Sequence, residues 1–208
     1  INASGRMENG KLSVDLLVER DFPTAIRMAK HINEYNEQRK DIDKQMTEEA
    51  NGIVSRLESQ KHNSSIVLYD EGWKKGVIGI VASRLTEIYF RPTVVLTRDG
   101  DMATGSARSV TGFDVYSAIK SCRDLLVNFG GHTYAAGLTL RWDKVKEFRE
   151  RFQKYVEEHI VPEQTEALLN IDAVIDFKDI TKSLQNELKR FSPFGPCNQK
   201  PVFCTTQV

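Results

Sequence analysis

The triplet Gly130-Gly131-His132 is the first candidate for chemistry in this chain. Glycine has no Cβ, so its backbone can adopt positive φ values and lie close against a ligand. Histidine adds a ring that donates, accepts or carries a proton near neutral pH. Together they predict a tight loop whose amides and imidazole bind an anion, most simply a phosphate. A plain turn before a strand is the alternative, and the triplet alone does not separate the two.

A hydroxyl and a guanidinium form the second candidate. Thr104, Ser106 and Arg108 lie two residues apart in a predicted strand, so all three project from one face. Ser106 and Arg108 side by side suit recognition of a phosphate oxygen. The alternative is a polar solvent face on an edge strand. Gly105 removes side-chain bulk next to them, which favours the ligand-binding interpretation.

The segment Trp73-Lys74-Lys75-Gly76-Val77-Ile78-Gly79 opens a predicted helix. Exposed amides at a helix start, with two lysines just upstream, can bind an anion. Gly76 and Gly79 equally allow a helix to pack closely on a sheet. For Gly79 we favour packing, and for the lysines both interpretations stay open.

The sequence lacks the motifs of a metal centre. Its histidines are His31, His62, His132 and His159. None has metal-ligand spacing to another, and neither a His-Glu-x-x-His nor a Gly-x-x-x-x-Gly-Lys-Ser/Thr motif is present. Asp41 and Asp43 are two apart on a predicted helix, hence on nearly opposite faces, so they cannot share a metal. The residues therefore predict ligand binding without a metal site.

The elements that must position these residues alternate between strands and helices, as in α/β proteins. We predict strands at 65–69, 92–97, 102–109 and 135–140, and helices at 76–90, within 113–127 and at 143–159. Farther on, the pattern predicts a strand at 168–175, a helix at 180–191 and a turn-rich segment at 192–198.

The region before the first strand reads differently. Residues 1–20 read as a short polar entry with Gly5 and Gly10. Residues 24–59 lack proline and carry apolar residues near heptad spacing, which predicts a helix roughly 50 Å long. That length favours a helix connecting two lobes, with a coiled-coil dimer as the alternative.

Composition limits the possible partners. The 208 residues carry 29 basic and 29 acidic side chains, and only 61–142 is net basic, with ten against seven. Any nucleic-acid contact should therefore be local. The three cysteines form no Cys-x-x-Cys pair, which indicates reduced thiols in a cytoplasmic protein. We expect no membrane span and no signal peptide, and both ends look like cuts within a longer protein.

Five stretches, in this order, resemble the C-terminal half of the RecJ single-strand-specific exonucleases of the DHH phosphoesterase superfamily. They are INASGRM (1–7), GWKKGVIGIVAS (72–83), GSARS (105–109), FGGH with AAGL (129–132 and 135–138), and PFG with Asn198 (193–195). Each motif is weak alone, but five in register span nearly the whole chain. Two positions depart from the family: Lys74 stands where His is common after the Trp, and Pro196-Cys197 replaces a small, Gly-containing turn.

The resemblance implies an α/β fold with a mixed sheet flanked by helices, preceded by a long connecting helix and followed by a truncated OB-fold segment. The implied divisions are the tail of the catalytic DHH lobe (1–20), the connecting helix (21–60), the DHH-associated substrate-binding domain (61–160) and a partial OB-fold region (165–208). In the family, two Mn²⁺ or Mg²⁺ ions held by the DHH lobe activate water for phosphodiester hydrolysis. Those ligands would lie upstream, so we expect this chain to bind no metal.

The resemblance also implies roles for individual residues. Ser106, Arg108 and Ser109 would contact phosphate. Gly130-Gly131-His132 would line the opposite wall near the scissile phosphate, with His132 as the catalytic candidate. Arg6 would face the cleft from the other lobe.

The implied function is the substrate-gripping part of a 5′→3′ single-stranded DNA exonuclease of repair and recombination, inactive as an isolated fragment. We expect single-stranded DNA as partner, a single-strand-binding protein or helicase as further partners, and a cytoplasmic monomer without membrane contact. The alternatives are a small-substrate phosphodiesterase or oligoribonuclease of the same superfamily, and a non-catalytic binding module like the related domain of alanyl-tRNA synthetases. The OB-like tail and the long helix favour the exonuclease.

Overall fold

The computed structural model describes residues 1–58, 63–167, 169–195 and 197–206, with Glu58 described by its backbone. The chain divides into two compact units, Ile1–Glu166 and Ala167–Val208. The helices are α1 (Asn2–Met7), α2 (Lys11–Val18), α3 (Phe22–Glu58), α4 (Ile78–Tyr89), α5 (Val115–Lys120), α6 (Val145–His159) and α7 (Lys182–Arg190). The strands are β1 (Ile66–Asp70), β2 (Thr93–Asp99), β3 (Met102–Arg108), β4 (Leu126–His132), β5 (Ala135–Arg141), β6 (Ala173–Val174) and β7 (Phe203–Cys204).

The first unit is built on a five-stranded mixed sheet with the order β1-β2-β3-β5-β4. β1 and β2 are parallel and joined through α4, whereas the other neighbours are antiparallel. Antiparallel neighbours need only short connections, and parallel ones need a crossover. The predicted mixed sheet with flanking helices is confirmed.

One face of the sheet packs against α5 and α6. The strand β3 alternates between buried and half-buried residues, with Ala103, Gly105 and Ala107 turned inward. Helix α6 adds an apolar stripe that includes Phe148 and Phe152, both fully buried. A Cβ at Gly105 would lie 2.9 Å from the side chains of its core neighbours on β2 and β5. Gly105 therefore serves the core, and its interpretation as clearance for a ligand is wrong.

The opposite face is covered over β1 and β2. Helix α4 lies on β2 and β3, and α3 packs against α4 and β1 through Met46, Ala50 and Val54. The predicted long helix is confirmed as a 37-residue element. Within the described residues, none of the helices is long and apolar enough to cross a bilayer.

The region before α3 is helical, which its description as a short polar entry did not predict. Helices α1 and α2 approach each other at two glycines, where a Cβ on Gly5 would lie 3.7 Å from the Cα of Gly10. The buried hydroxyls of Ser4 and Ser13 are 2.6 Å apart. Glycine and serine are poor helix formers in isolation, and tertiary contacts outweigh that preference here.

The interpretation of Gly130-Gly131-His132 as a tight loop is also wrong. The triplet ends β4, an edge strand paired to β5 across the two-residue connection 133–134. Gly131 has a φ of +150°, and a Cβ there would overlap the carbonyl of Ala135 and the side chain of Ala136. The glycine permits close strand pairing rather than a turn.

The second unit is small and open. Helix α7 is capped by Thr181, whose hydroxyl accepts a hydrogen bond from the Leu184 amide at 3.2 Å. Strand β6 pairs in parallel with β7. The predicted strand at 168–175 is shorter, because only Ala173–Val174 form it among the described residues; Leu168 lies outside them.

The turn before Asn198 has a backbone conformation that glycine favours. Gly195 and Asn198 exchange two backbone hydrogen bonds of 2.9 and 3.0 Å. Cys197 between them has a φ of +63°, in the left-handed region that favours glycine. Pro196 lies outside the described residues.

Candidate nucleic-acid interface

Two strands of the sheet, β5 and β4, leave one face free of helices within the described part of the first unit, and α4 covers part of the neighbouring β3 on that face. Residues paired directly in antiparallel strands point to the same side of the sheet. The pairing of β3, β5 and β4 therefore forms three rows, which together we call the open face. From one end they are Thr104–Thr139–Asn128, Ser106–Gly137–Gly130 and Arg108–Ala135–His132.

In the middle row of the open face, two neighbouring positions carry no side chain. We call these two residues, Gly130 and Gly137, the floor. A Cβ at Gly130 would meet nothing within 4 Å, and one at Gly137 would meet only the Gly105 carbonyl oxygen at 3.9 Å. Neither glycine has a positive φ, and glycine inside a strand costs about 0.5–1 kcal/mol. Neither packing nor backbone geometry requires these glycines, and their missing side chains leave room for a ligand to approach the backbone closely. They line a depression of about 310 Å³.

Arg108 stands at the edge of this floor with its guanidinium held in place. Its Nε donates to Ser83 Oγ at 3.0 Å, and its Nη1 donates to Ser106 Oγ at 2.9 Å and to the Ala107 carbonyl at 2.7 Å. Burial, and next the nearby Arg6 guanidinium, lower the pKa of Arg108. Among the described residues no carboxylate pairs with it. A bound anion would relieve the repulsion between the two arginines.

Two glycines bring Arg6 to this place. A Cβ at Gly76 would overlap the backbone of Arg6, and a Cβ at Gly79 would lie 3.0 Å from both Arg108 Nη2 and Ser106 Oγ. The Arg6 Nη1 donates to the Gly76 carbonyl at 3.3 Å. The glycines thus let α1, α4 and β3 meet, which confirms the packing interpretation of Gly79.

His132 lies on the same row as Arg108, with Ala135 between them. Adjacent strands are about 4.8 Å apart, so the Cα atoms of Arg108 and His132 are separated by roughly 10 Å. The imidazole is exposed, and its Nδ1 lies 3.4 Å from the Tyr134 amide, which donates to it. A basic side chain therefore stands at each end of this row.

Ser109 holds a turn together. Its hydroxyl donates to the Phe113 carbonyl at 2.7 Å, and its amide donates to the Tyr134 carbonyl at 3.0 Å. The structure therefore gives Ser109 a structural role beside Arg108, and its contact with phosphate stays a prediction.

The two lysines before α4 are exposed. Lys75 pairs with Asp99 at 3.1 Å, a surface contact worth little to stability. The tryptophan before them is fixed differently, because Trp73 Nε1 donates to Glu49 on α3 at 3.0 Å. The structure does not bring Lys74 or Lys75 onto the open face.

The described residues do not fit a metal ion. No group of three or more His, Cys, Asp or Glu side chains among them is arranged to hold one. Their one buried carboxylate, Asp43, accepts hydrogen bonds from Arg84 and Arg39. Two guanidiniums at this carboxylate are incompatible with a bound cation, so we assign no metal-dependent step to these residues.

The sequence interpretation missed three residues of this region. Ser83 was quoted only as the last residue of the stretch 72–83, with no role of its own, and Gly137 and Asn128 were not singled out. The sequence could have indicated Gly137 and Asn128. Two strands joined by two residues pair as a hairpin, and this pairing places Gly130 opposite Gly137. The unrecognised strand β4 hid that register.

Comparison with known proteins identifies both parts of the chain. Residues 62–158 match the DHHA1 domain model, and residues 171–208 match the RecJ OB domain model. The chain is 37% identical over 204 residues to the single-stranded-DNA-specific exonuclease RecJ of Bacillus subtilis, covering 97% of this chain and 26% of the relative. For the RecJ of Escherichia coli the identity is 30%, over 98% of this chain and 36% of the relative.

Solved structures agree with these matches. RecJ from Thermus thermophilus in complex with Mg²⁺ superimposes with a TM-score of 0.85 at 25% identity, over 98% of this chain and 31% of that one. Its complex with Mn²⁺ gives 0.82 at 27% identity, over 99% and 30%. The chain thus spans about a quarter to a third of the length of these relatives. It belongs to the RecJ family, with a DHHA1 domain followed by RecJ OB sequence.

Proposed function

We propose that the open face binds the sugar–phosphate backbone of single-stranded DNA, and that the chain is the substrate-gripping part of a 5′→3′ exonuclease. The observation that carries this is the glycine floor of Gly130 and Gly137 beside Arg108 and His132. The relatives named as single-stranded-DNA-specific exonucleases support the choice of substrate. The 5′→3′ polarity follows the family.

The proposed grip combines close backbone approach with local positive charge. The glycines let a strand lie directly on the sheet, and Arg6 and Arg108 supply guanidiniums for one phosphate. At the other end of the row, His132 donates to a phosphate oxygen next to the bond that is cleaved, which makes it the catalytic candidate of this chain. Few charges take part, so binding should depend only modestly on salt.

The division of labour follows from the residues present. The relatives were crystallised with Mg²⁺ or Mn²⁺, and when bound in the complete enzyme such ions activate the attacking water. We propose that residues outside this chain hold them. We further propose a cytoplasmic monomer that acts in DNA repair and recombination, with a single-strand-binding protein or helicase as partners.

A binding titration tests the proposed grip. A fluorescein-labelled oligo-dT of about 20 nucleotides is titrated with the chain at several salt concentrations, and anisotropy is recorded. Losing a charge-assisted contact costs about 1.5–3 kcal/mol, so Arg108→Ala should weaken binding at least tenfold and lower the salt slope by about one. His132→Ala should also weaken binding.

The matched control is Arg151→Ala on α6, which lies across the sheet and pairs with Asp124 at 2.7 Å. It should bind like the wild type. Equal losses in Arg151→Ala and Arg108→Ala would indicate nonspecific attraction and contradict the proposal.

Nuclease assays test the second part. The purified chain with Mn²⁺ should not degrade labelled single-stranded DNA. Turnover that disappears in Arg108→Ala would contradict the proposal that catalysis requires residues outside this chain.

A further inference from the structure

Arg108 can bind a phosphate well only if its guanidinium is aimed before the ligand arrives. Its Nε and Nη1 already donate to Ser83, Ser106 and Ala107. Among the described residues no acceptor is placed on Nη2, which lies beside Gly79. Two of the three guanidinium nitrogens are thus anchored by the protein, and Nη2 is left for a ligand.

Ser83 is the anchor that comes from another element. It lies on α4, whereas Ser106 and Ala107 lie on β3 next to Arg108 itself. The Ser83 hydroxyl donates its proton to the Gly79 carbonyl at 3.0 Å. Its lone pairs therefore remain for the Arg108 Nε–H, so the hydroxyl is fixed as an acceptor in this contact.

The helix that carries Ser83 is itself held firmly. The next residue, Arg84, donates from Nε and Nη2 to both oxygens of Asp43 on α3, at 3.0 and 2.8 Å. The Asp43 side chain is 2% exposed. A two-point contact of this kind fixes orientation as well as distance. The position of Ser83 relative to the sheet is thereby set by the long helix.

We propose that Ser83 is a positioning residue that aims the Arg108 guanidinium at the phosphate of the bound strand. The proposal rests on the proposed function, in which Arg108 contacts DNA. Without the Ser83 oxygen, the Nε–H loses its acceptor and the arginine side chain regains rotamer freedom. Binding must then restrict that freedom again, which costs affinity.

A double-mutant cycle tests this in the same oligo-dT titration. Ser83→Ala should weaken binding about threefold to tenfold, and Ser83→Thr, which keeps the hydroxyl, should restore it. In an Arg108→Ala background Ser83→Ala should have no further effect, because the group it aims is gone. Ser121→Ala removes another hydroxyl that donates to a backbone carbonyl, that of Ala118, and should bind as the wild type does.

A spectroscopic readout tests the positioning without DNA. The Arg108 Nε–H resonance, assigned by its loss in Arg108→Lys, should be visible and slow to exchange in the wild type and Ser83→Thr. It should broaden or exchange rapidly in Ser83→Ala.

The outcomes separate the two proposals. Wild-type binding in Ser83→Ala, or an unchanged Nε–H signal, overturns the role of Ser83. Wild-type binding in Arg108→Ala overturns the proposed function, while the Nε–H signal still reports whether Ser83 anchors the arginine. Weaker binding in Ser83→Ala that persists in the Arg108→Ala background shows that Ser83 acts by another route, which also overturns its positioning role.

Discussion

The two halves of the five-stranded sheet are covered differently. β1 and β2 are packed by helices on both faces, whereas β5 and β4 are packed on one face by the described residues of the first unit. The decrease in burial is visible along one row of paired residues, which consists of Val95, Ser106, Gly137 and Gly130. Val95 is fully buried under α4, whereas Gly130 at the other end is exposed. Both halves contribute to the hydrophobic core, but only the second half leaves backbone and polar side chains free for a ligand on its other face.

The glycines of the sheet also fall into two groups, those that the fold requires and those that it does not. Gly105 and Gly131 are required by the fold, because a Cβ there would press on neighbouring strands. Gly130 and Gly137 are not required by it, because a Cβ there would point into open space. If the interface is placed correctly, substitutions of the first pair should change stability, and substitutions of the second pair should change binding.

The largest effect is expected in the covered half. Leu96 on β2 is fully buried in the core, so Leu96→Ala should lower the free energy of unfolding by about 3 kcal/mol. Thr139→Val on the open face should change it by less than about 0.5 kcal/mol. Urea unfolding monitored by circular dichroism measures both, and similar losses in the two variants would remove the distinction.

A smaller loss of stability is expected at the strand-pairing glycine. Gly131→Ala forces a side chain into a positive-φ position against β5 and should cost about 2 kcal/mol. Gly130→Ala, one residue earlier, should not lower the free energy of unfolding, because its Cβ would meet nothing within 4 Å. If Gly130→Ala is the more damaging of the two in urea unfolding, the register of β4 on β5 is wrong.

Binding should respond in the opposite way at the floor. Gly137→Val introduces a residue that strands favour, so the unfolding free energy should not fall. Its side chain would occupy the floor and weaken oligo-dT binding about tenfold, or about 1.4 kcal/mol. Paired anisotropy and urea titrations check this, and undiminished affinity would mean that the strand does not lie on the floor.

The smallest effect concerns the helix beside β4. The Asp114 carboxylate caps α5 by accepting from the Tyr116 and Ser117 amides, so Asp114→Ala should cost about 1 kcal/mol. Its hydrogen bonds, first that from the Ser117 hydroxyl, lower the pKa of Asp114 below its ordinary value of 3.8. This contribution is therefore complete above that value and is lost as the pH falls through the lowered pKa.

Unfolding of the wild type and Asp114→Asn between pH 2 and 6 checks the sign. The asparagine keeps a capping oxygen but does not titrate, so its stability should fall less steeply with acid. A steeper fall in Asp114→Asn would contradict the assignment.

Much of the fold could be predicted from periodicity, and the reasons for the failures are physical. The long helix and the strands β1, β2, β3 and β5 carry clear apolar patterns. β4 does not, because Asn128, Gly130 and Gly131, which strands disfavour, make up nearly half of this edge strand. The helices before α3 were missed because their glycines matter only through contact between them.

The candidate site was predicted in part. The alternation of Ser106 and Arg108 placed them on one face, and the structure agrees. The meeting of Arg6 with Arg108 depends on Gly76 and Gly79 bringing three distant segments together. Sequence spacing contains no information on such a contact, and the RecJ resemblance alone suggested Arg6.

The most direct test of the open face as the DNA-binding surface is a backbone amide NMR titration of the chain with unlabelled oligo-dT at low salt. The account predicts that shifts concentrate on the rows of Ser106, Gly137 and Gly130 and of Arg108 and His132, while the amides of α6 across the sheet stay unchanged. Binding accompanied by shifts on α6 and none on these rows would contradict it.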